Sequence, residues 1–196
     1  MKGRVLTAGL LGAAVMVLVA FVVNGMFGFT AGIELRRVPN EAAVYAVLKE
    51  TIVEPGGYMV NPAVVPGQGF PANEPVFGVH YGGLGHEAAG RMELLRLLEV
   101  LVATTLAAWI ASMASGRVLA SWARRFGFFL LMGLWLVVFS DLPKYGIGAH
   151  PLGSAVALGA FDLGLWALAG AVMAWWLRPP QLMRRNGSPA SGTSSS

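Results

Sequence analysis

Four long apolar blocks dominate the pattern of hydrophobic and polar positions along this chain. No charged residue occurs between Arg4 and Glu34. The apolar run 5–29 exceeds the roughly 20 residues that a helix needs to cross about 30 Å of hydrocarbon, and it is too long for the apolar region of a cleaved signal peptide. Three further blocks cover residues 93–115, 119–141 and 151–177. The pattern therefore predicts four transmembrane helices.

The composition agrees with a chain whose solvent is lipid. Hydrophobic residues make up 56% of the 196 residues and charged residues 12%, against about 45 to 50% and about 25% in soluble domains. The chain contains no cysteine, which excludes thiolate catalysis, disulfides and cysteine-based metal centres. Its basic residues lie at the ends of the apolar blocks rather than in a patch, so we expect no nucleic-acid partner. No cofactor pattern occurs in the sequence, so we expect no cofactor.

The basic residues predict the direction in which the chain crosses the membrane. Eight of them fall on one side of the four blocks: Lys2, Arg4, Arg117, Arg124, Arg125, Arg178, Arg184 and Arg185. None of the ten acidic residues falls on that side. Because basic residues concentrate in cytoplasmic connections, the sequence predicts a bacterial inner-membrane protein with both termini in the cytoplasm.

These observations predict an all-α membrane protein, a four-helix bundle with a small α+β insertion on the outer, periplasmic side between helices one and two. Residues 1–29 form the first helix, 30–91 the outer insertion, 92–178 the other three helices, and 179–196 a disordered tail without apolar content.

The insertion has the pattern of one helix followed by a hairpin. Asn40 is placed to cap a helix that Gly56 and Gly57 terminate. Apolar positions recur in this helix at helical spacing, at Val44, Val47, Leu48 and Ile52. Residues 58–60 and 76–81 read as short strands joined by a Pro/Gly-rich loop.

Three segments carry a resemblance: Pro39-Asn40-Glu41-Ala42-Ala43-Val44, Gly57-Tyr58-Met59-Val60-Asn61-Pro62, and Asp141-Leu142-Pro143 leading into Gly148-Ala149-His150-Pro151. In order and spacing they resemble an uncharacterised group of bacterial four-helix inner-membrane proteins with a long loop after the first span. The resemblance covers most of the chain. It implies architecture and no activity.

Three polar residues inside the apolar blocks are candidates for function: Asn24, Glu99 and Asp162. Charged side chains near the bilayer centre cost roughly 2.5 to 3.5 kcal/mol, so they face a partner, a cavity or the bundle interior. For Glu99, an ion pair with Arg96 on the same helix face is a sufficient explanation. Asp162 has no such neighbour, which leaves a structural hydrogen bond to another helix, a transport or proton-relay role, and a subunit contact.

A second set of candidates falls on the outer face: His80, His86, Glu87, Asp141 and His150. The segment after His86 and Glu87 lacks the second histidine of a metalloprotease motif, and none of the three histidines falls within a span where it could ligate a haem. We therefore predict no metal site and no catalytic residue.

Three functions remain open at this point. The first is a non-enzymatic accessory or scaffold component of a membrane complex. The alternative is a small oligomeric transporter or proton-coupled carrier that uses Asp162 and Glu99, and the least favoured is a membrane enzyme with an outer-face metal. The fourth block has small residues at helical spacing, Ala160, Gly164, Ala167 and Ala171. They indicate close packing of helices within the bundle or with another subunit. The remaining surface of the bundle is expected to contact the lipid bilayer.

Overall fold

The structure, a computed structural model, describes residues 2–62, 73–144 and 151–178. This part of the chain is mostly helical and includes a two-stranded sheet. Four helices are long and apolar enough to cross a membrane: Gly3–Met26, Gly90–Met113, Trp122–Lys144 and Leu152–Trp176. They confirm the four predicted helices, and their ends differ from the prediction by only a few residues.

The first long helix changes its winding before it ends. Helix α1 covers Lys2–Ala20 and continues as a π-helical turn over Phe21–Met26. Gly28, with a φ of 61°, then allows a sharp turn that a residue with a side chain rarely adopts. The short helix α2, Phe29–Glu34, follows it.

The insertion between the first and second long helices contains the predicted helix and hairpin. Helix α3 covers Glu41–Thr51, and strands β1, Gly56–Val60, and β2, Phe77–Tyr81, pair in antiparallel fashion with Tyr58 opposite Val79. The loop predicted to join the strands lies largely outside the described residues.

Two details of the insertion differ from the prediction. Asn40 does precede α3, but its φ is 60° and its side chain makes no capping hydrogen bond. Its backbone carbonyl oxygen instead accepts hydrogen bonds from the amides of Ala43 and Val44. Asparagine adopts this left-handed conformation more readily than most residues with a side chain. Gly56 and Gly57 do not terminate the helix, which ends at Thr51, but form the start of β1.

The remaining three long helices follow the sheet. Helix α4 covers Gly85–Met113, the short helix α5 covers Gly116–Leu119, and α6 covers Trp122–Leu136. After α6 the chain forms a second π-helical turn, Val137–Asp141, and a 3₁₀ turn, Leu142–Lys144. Helix α7, Leu152–Trp176, completes the bundle.

Glycines bring the helices of the bundle into close contact. A Cβ on Gly9 of α1 would lie 2.6 Å from the Thr105 Oγ1 of α4, and a Cβ on Gly170 of α7 would lie 2.7 Å from the Phe129 Cβ of α6. Such positions exclude any larger residue. Of the small residues predicted to pack in α7, Ala160 and Gly164 are exposed, so other small residues of that helix form its buried face.

The two ends of the bundle differ in charge. Arg4, at the start of α1, donates to the carbonyl oxygen of Trp176, at the end of α7, over 3.4 Å. We call this the arginine end. At the opposite end, Asp141 lies beside α7, because its Cβ is 3.5 Å from the position of a Cβ on Gly159. We call this the carboxylate end.

Candidate functional site

A cavity of about 840 Å³ lies at the carboxylate end between the four long helices. Its walls are largely apolar and include Val17, Leu165 and Trp166. Polar side chains from every long helix line it: Asn24, Glu93, Arg96, Glu99, Ser140, Asp141 and Asp162. Four residues that the sequence singled out from separate segments, Asn24, Glu99, Asp141 and Asp162, therefore line one cavity.

Asp141 and Asp162 form the centre of this site, and we call them the carboxyl pair. Asp141 is only 3% exposed, and its Oδ1 accepts from the Lys144 Nζ over 2.5 Å. Asp162 lines the same cavity, and its carboxyl group is close enough to that of Asp141 for their charges to interact. Lys144 itself is about half exposed.

The π-helical turn and a glycine explain how Asp141 reaches α7. The turn Val137–Asp141 brings Val137 and Asp141 against Gly159, where a Cβ would lie 2.8 Å from the Val137 Cγ1 and 3.5 Å from the Asp141 Cβ. Gly159 and Asp162 are three residues apart and so share one face of α7. Widened helical turns of this kind occur frequently at functional sites.

Asn24 has a structural partner although it lines the cavity. Its Oδ1 accepts a hydrogen bond from the Thr30 amide over 3.2 Å and another from the Thr30 hydroxyl. These bonds connect the π-helical turn of the first long helix to α2. Asn24 thereby stabilises the turn at Gly28 that ends this helix.

Glu99 does not form the ion pair that the sequence suggested. Glu99 and Arg96 both lie in the described helix α4, yet no N–O contact within 4.0 Å joins their side chains. Both line the cavity instead, as does Glu93. Acidic groups therefore outnumber basic ones along the cavity wall, which favours a proton or a cationic solute over an anion.

The outer-face candidates other than Asp141 are not brought to this cavity. His80 lies in β2 and is exposed, and its ring packs near the Gly57 backbone of β1. His86 and Glu87 belong to α4, but their side chains, like the whole of His150, lie outside the described residues. In the part of the chain that the structure describes, no cluster of three or more His, Asp or Glu residues could hold a metal ion.

Sequence reasoning missed the proximity of Asp141 and Asp162 and the role of Lys144. It found no partner for Asp162 in the fourth span and assigned Asp141 to a separate set of outer-face candidates. A usable signal was present, because a short connection joins the third and fourth spans and makes them antiparallel neighbours. Each carboxylate lies within about a dozen residues of that connection.

We compared the chain with protein-family models, curated proteins and solved structures, and none of them matches.

Proposed function

We propose that this protein is a small proton-coupled carrier of the bacterial inner membrane, in which the carboxyl pair binds and releases the proton. The observation that supports the proposal is the placement of Asp141 and Asp162 in one cavity that is lined by all four long helices, where their charges interact. Ionisable groups inside membrane helices characteristically belong to ion or proton pathways.

The hydrogen-bond chemistry of the pair assigns the proton. An ionised carboxylate only accepts hydrogen bonds, so a hydrogen bond between two carboxyl groups requires a proton on one of them. The Lys144 ammonium donates to Asp141 and stabilises its negative charge. Asp162 is then the protonated partner that donates to Asp141. In the proposed cycle, Asp162 releases this proton to water in the cavity when it separates from Asp141.

The cavity also defines a class of cargo. A volume of about 840 Å³ lies within the range of about 300 to 1,000 Å³ that is usual for small-molecule sites. Apolar walls with an excess of carboxylates suit a small organic cation with an apolar body. Such a cation competes with the proton for Asp162, because either one neutralises the negative charge of the same carboxylate. Four helices are few for a transport pathway that is shielded from lipid on all sides, so the proposed carrier is a homo-oligomer.

The proposal places the carboxylate end, from which the insertion emerges, on the periplasmic side, with both termini in the cytoplasm. Its support is the charge asymmetry of the sequence. Reporters that are active only in the cytoplasm should work when fused after Ala120 or Asn186. They should fail after Gln68 or Gly148, and activity at Gln68 would reverse the orientation.

Proton flux into proteoliposomes tests the proposed carrier directly. A pH-sensitive dye inside vesicles loaded with a small organic cation should report proton entry with the wild-type chain, and the flux should fall to the level of protein-free vesicles with Asp162→Asn. The matched control is Glu50→Gln, the same acid-to-amide change on the exposed helix α3, which should retain the wild-type flux. Equal flux through the wild type and Asp162→Asn would reject the proposal.

A second candidate, an accessory or scaffold component, is favoured by the surface of α3. No residue of this helix is buried, and Val44, Tyr45 and Val47 are exposed apolar side chains. Such a helix is available to a partner protein. Purification in mild detergent should then recover a second protein, and replacement of Val44 and Val47 by Ser should release it. Recovery of this chain alone would count against the scaffold.

A further inference from the structure

The arginine end of the bundle gathers positive charge around the last turn of α7. Arg4 donates to the Trp176 carbonyl oxygen, and Arg125 Nε donates to the Ala174 carbonyl oxygen over 2.7 Å. Arg178 follows directly in the chain and is close enough to Arg125 for the two charges to interact. Arginines from the starts of α1 and α6 therefore meet a third at the end of α7.

Arg125 is the most unusual member of this cluster. Only 3% of it is exposed, although its guanidinium carries a full charge. Its Nη1 donates to the Leu119 carbonyl oxygen over 2.5 Å, so both of these hydrogen bonds end on neutral backbone groups. Buried charges are normally paired with an opposite charge. The described contacts of Arg125 contain no such pair.

Helix capping does not neutralise the cluster. The exposed carbonyls at a helix C-terminus carry the equivalent of about half a negative charge, so capping offsets only a fraction of three guanidinium charges. The sequence offers no further compensation, since residues 1–33, 100–140 and 163–196 contain no Asp or Glu. The net positive charge at this end calls for an anion from outside the chain.

The surroundings of the cluster identify the kind of anion. Leu6 and Trp175, next to the arginines in sequence, are exposed apolar side chains, as expected for residues in contact with lipid. Trp176 Nε1 is buried, and within the described residues it has no hydrogen-bond partner. Arg178 stacks over the Trp175 ring at 5.4 Å from its centroid. Guanidinium groups beside an apolar surface match a phosphate group that carries acyl chains.

We propose that Arg4 and Arg178, with the charge of the buried Arg125 adding to their positive potential, form a binding site for the phosphate group of an anionic lipid. Planar guanidinium groups recognise phosphate oxygens through paired hydrogen bonds, which ammonium groups and neutral donors do not reproduce. The acyl chains then lie along the lipid-facing side of α1 and α7. This site lies at the opposite end of the bundle from the carboxyl pair and is independent of any transport activity.

Lipid retention by the full-length purified chain tests the site. Native mass spectrometry of protein released from nanodiscs of phosphatidylglycerol and phosphatidylcholine should show phosphatidylglycerol retained in preference. Arg178→Gln and Arg4→Gln should each weaken that retention about fivefold, the effect of one basic residue at an anionic surface. Arg124→Gln is the matched control. Its guanidinium lies at the same end but outside the cluster, where it donates to the Arg117 carbonyl oxygen, so its loss should weaken retention less than the loss of Arg4 or Arg178.

A second arm distinguishes a lipid from a soluble anion. Inorganic phosphate is titrated into delipidated protein while tryptophan fluorescence is followed. Selective phosphatidylglycerol retention that depends on Arg4 and Arg178 supports a lipid headgroup. Saturable phosphate binding that depends on Arg4 and Arg178, without a preference between the lipids, supports recognition of a phosphate group. It overturns the proposal that this phosphate belongs to a lipid. Equal effects of Arg178→Gln and Arg124→Gln, or no preference between the lipids, overturn the site.

Discussion

Replacement of Gly159 by Ala tests whether close packing of the π-helical turn against α7 holds the carboxyl pair together. The new Cβ would lie 2.8 Å from the Val137 Cγ1, whereas carbon atoms in contact normally lie about 3.5 to 4.0 Å apart. The turn must therefore move away by roughly 0.7 Å or more. Because Asp141 belongs to the same turn, its carboxyl group should move away from Asp162.

The free-energy change can be isolated with a second glycine of the same helix. Overpacking costs about 1 to 3 kcal/mol, and Gly→Ala in a helix gains up to about 1 kcal/mol. A Cβ on Gly164 meets no atom within 4 Å, so Gly164→Ala receives the gain without the clash. The free energy of unfolding of Gly159→Ala should thus be lower than that of Gly164→Ala by about 1 to 3 kcal/mol.

Unfolding in mixed micelles measures this difference, and proteoliposome flux measures its consequence for the proton. We expect reduced proton flux for Gly159→Ala and wild-type flux for Gly164→Ala. Equal stability of the two variants would show that the π-helical turn does not pack on Gly159 as described. Wild-type flux in a destabilised Gly159→Ala would show that this packing is irrelevant to the carboxyl pair.

Two further substitutions have defined outcomes. Asp162→Asn keeps a donor and an acceptor at similar volume, and interhelical hydrogen bonds average only about 0.6 kcal/mol, so its free energy of unfolding in mixed micelles should stay within about 1 kcal/mol of the wild type. A larger loss would mean that Asp162 is chiefly structural. Asn24→Ala removes both hydrogen bonds from Thr30 and should lower the free energy of unfolding by about 1 to 2 kcal/mol in the same assay, whereas an unchanged value would remove Asn24 from the account of the Gly28 turn.

The long helices could be predicted from the sequence because a helix that can cross the hydrocarbon layer needs about 20 apolar residues, and a run of that length is easily recognised. A charge-free run such as 5–29 has few alternatives once its composition excludes a soluble core. Helix α3 could also be predicted, because its apolar positions recur at helical spacing between a turn at Asn40 and the glycines of β1.

The carboxyl pair depended on features that hydropathy does not encode. Asp141 approaches α7 through a π-helical turn, which shifts the register of the chain, and through a glycine at 159 that leaves room for the turn. The burial of Arg125 could not be predicted from the sequence either, since its hydrogen-bond partners are the backbone carbonyl oxygens of Leu119 and Ala174 rather than acidic side chains.

Infrared spectroscopy of the membrane-reconstituted protein measures the proton of the carboxyl pair most directly. A protonated carboxylic acid has a C=O stretching band that an ionised carboxylate and an amide lack. The wild type should show such a band. Asp141→Asn should shift the band, and Asp162→Asn should remove it. Glu50→Gln should leave it unaltered. A band that persists in Asp162→Asn, or a wild type without one, would contradict a proton held between Asp141 and Asp162.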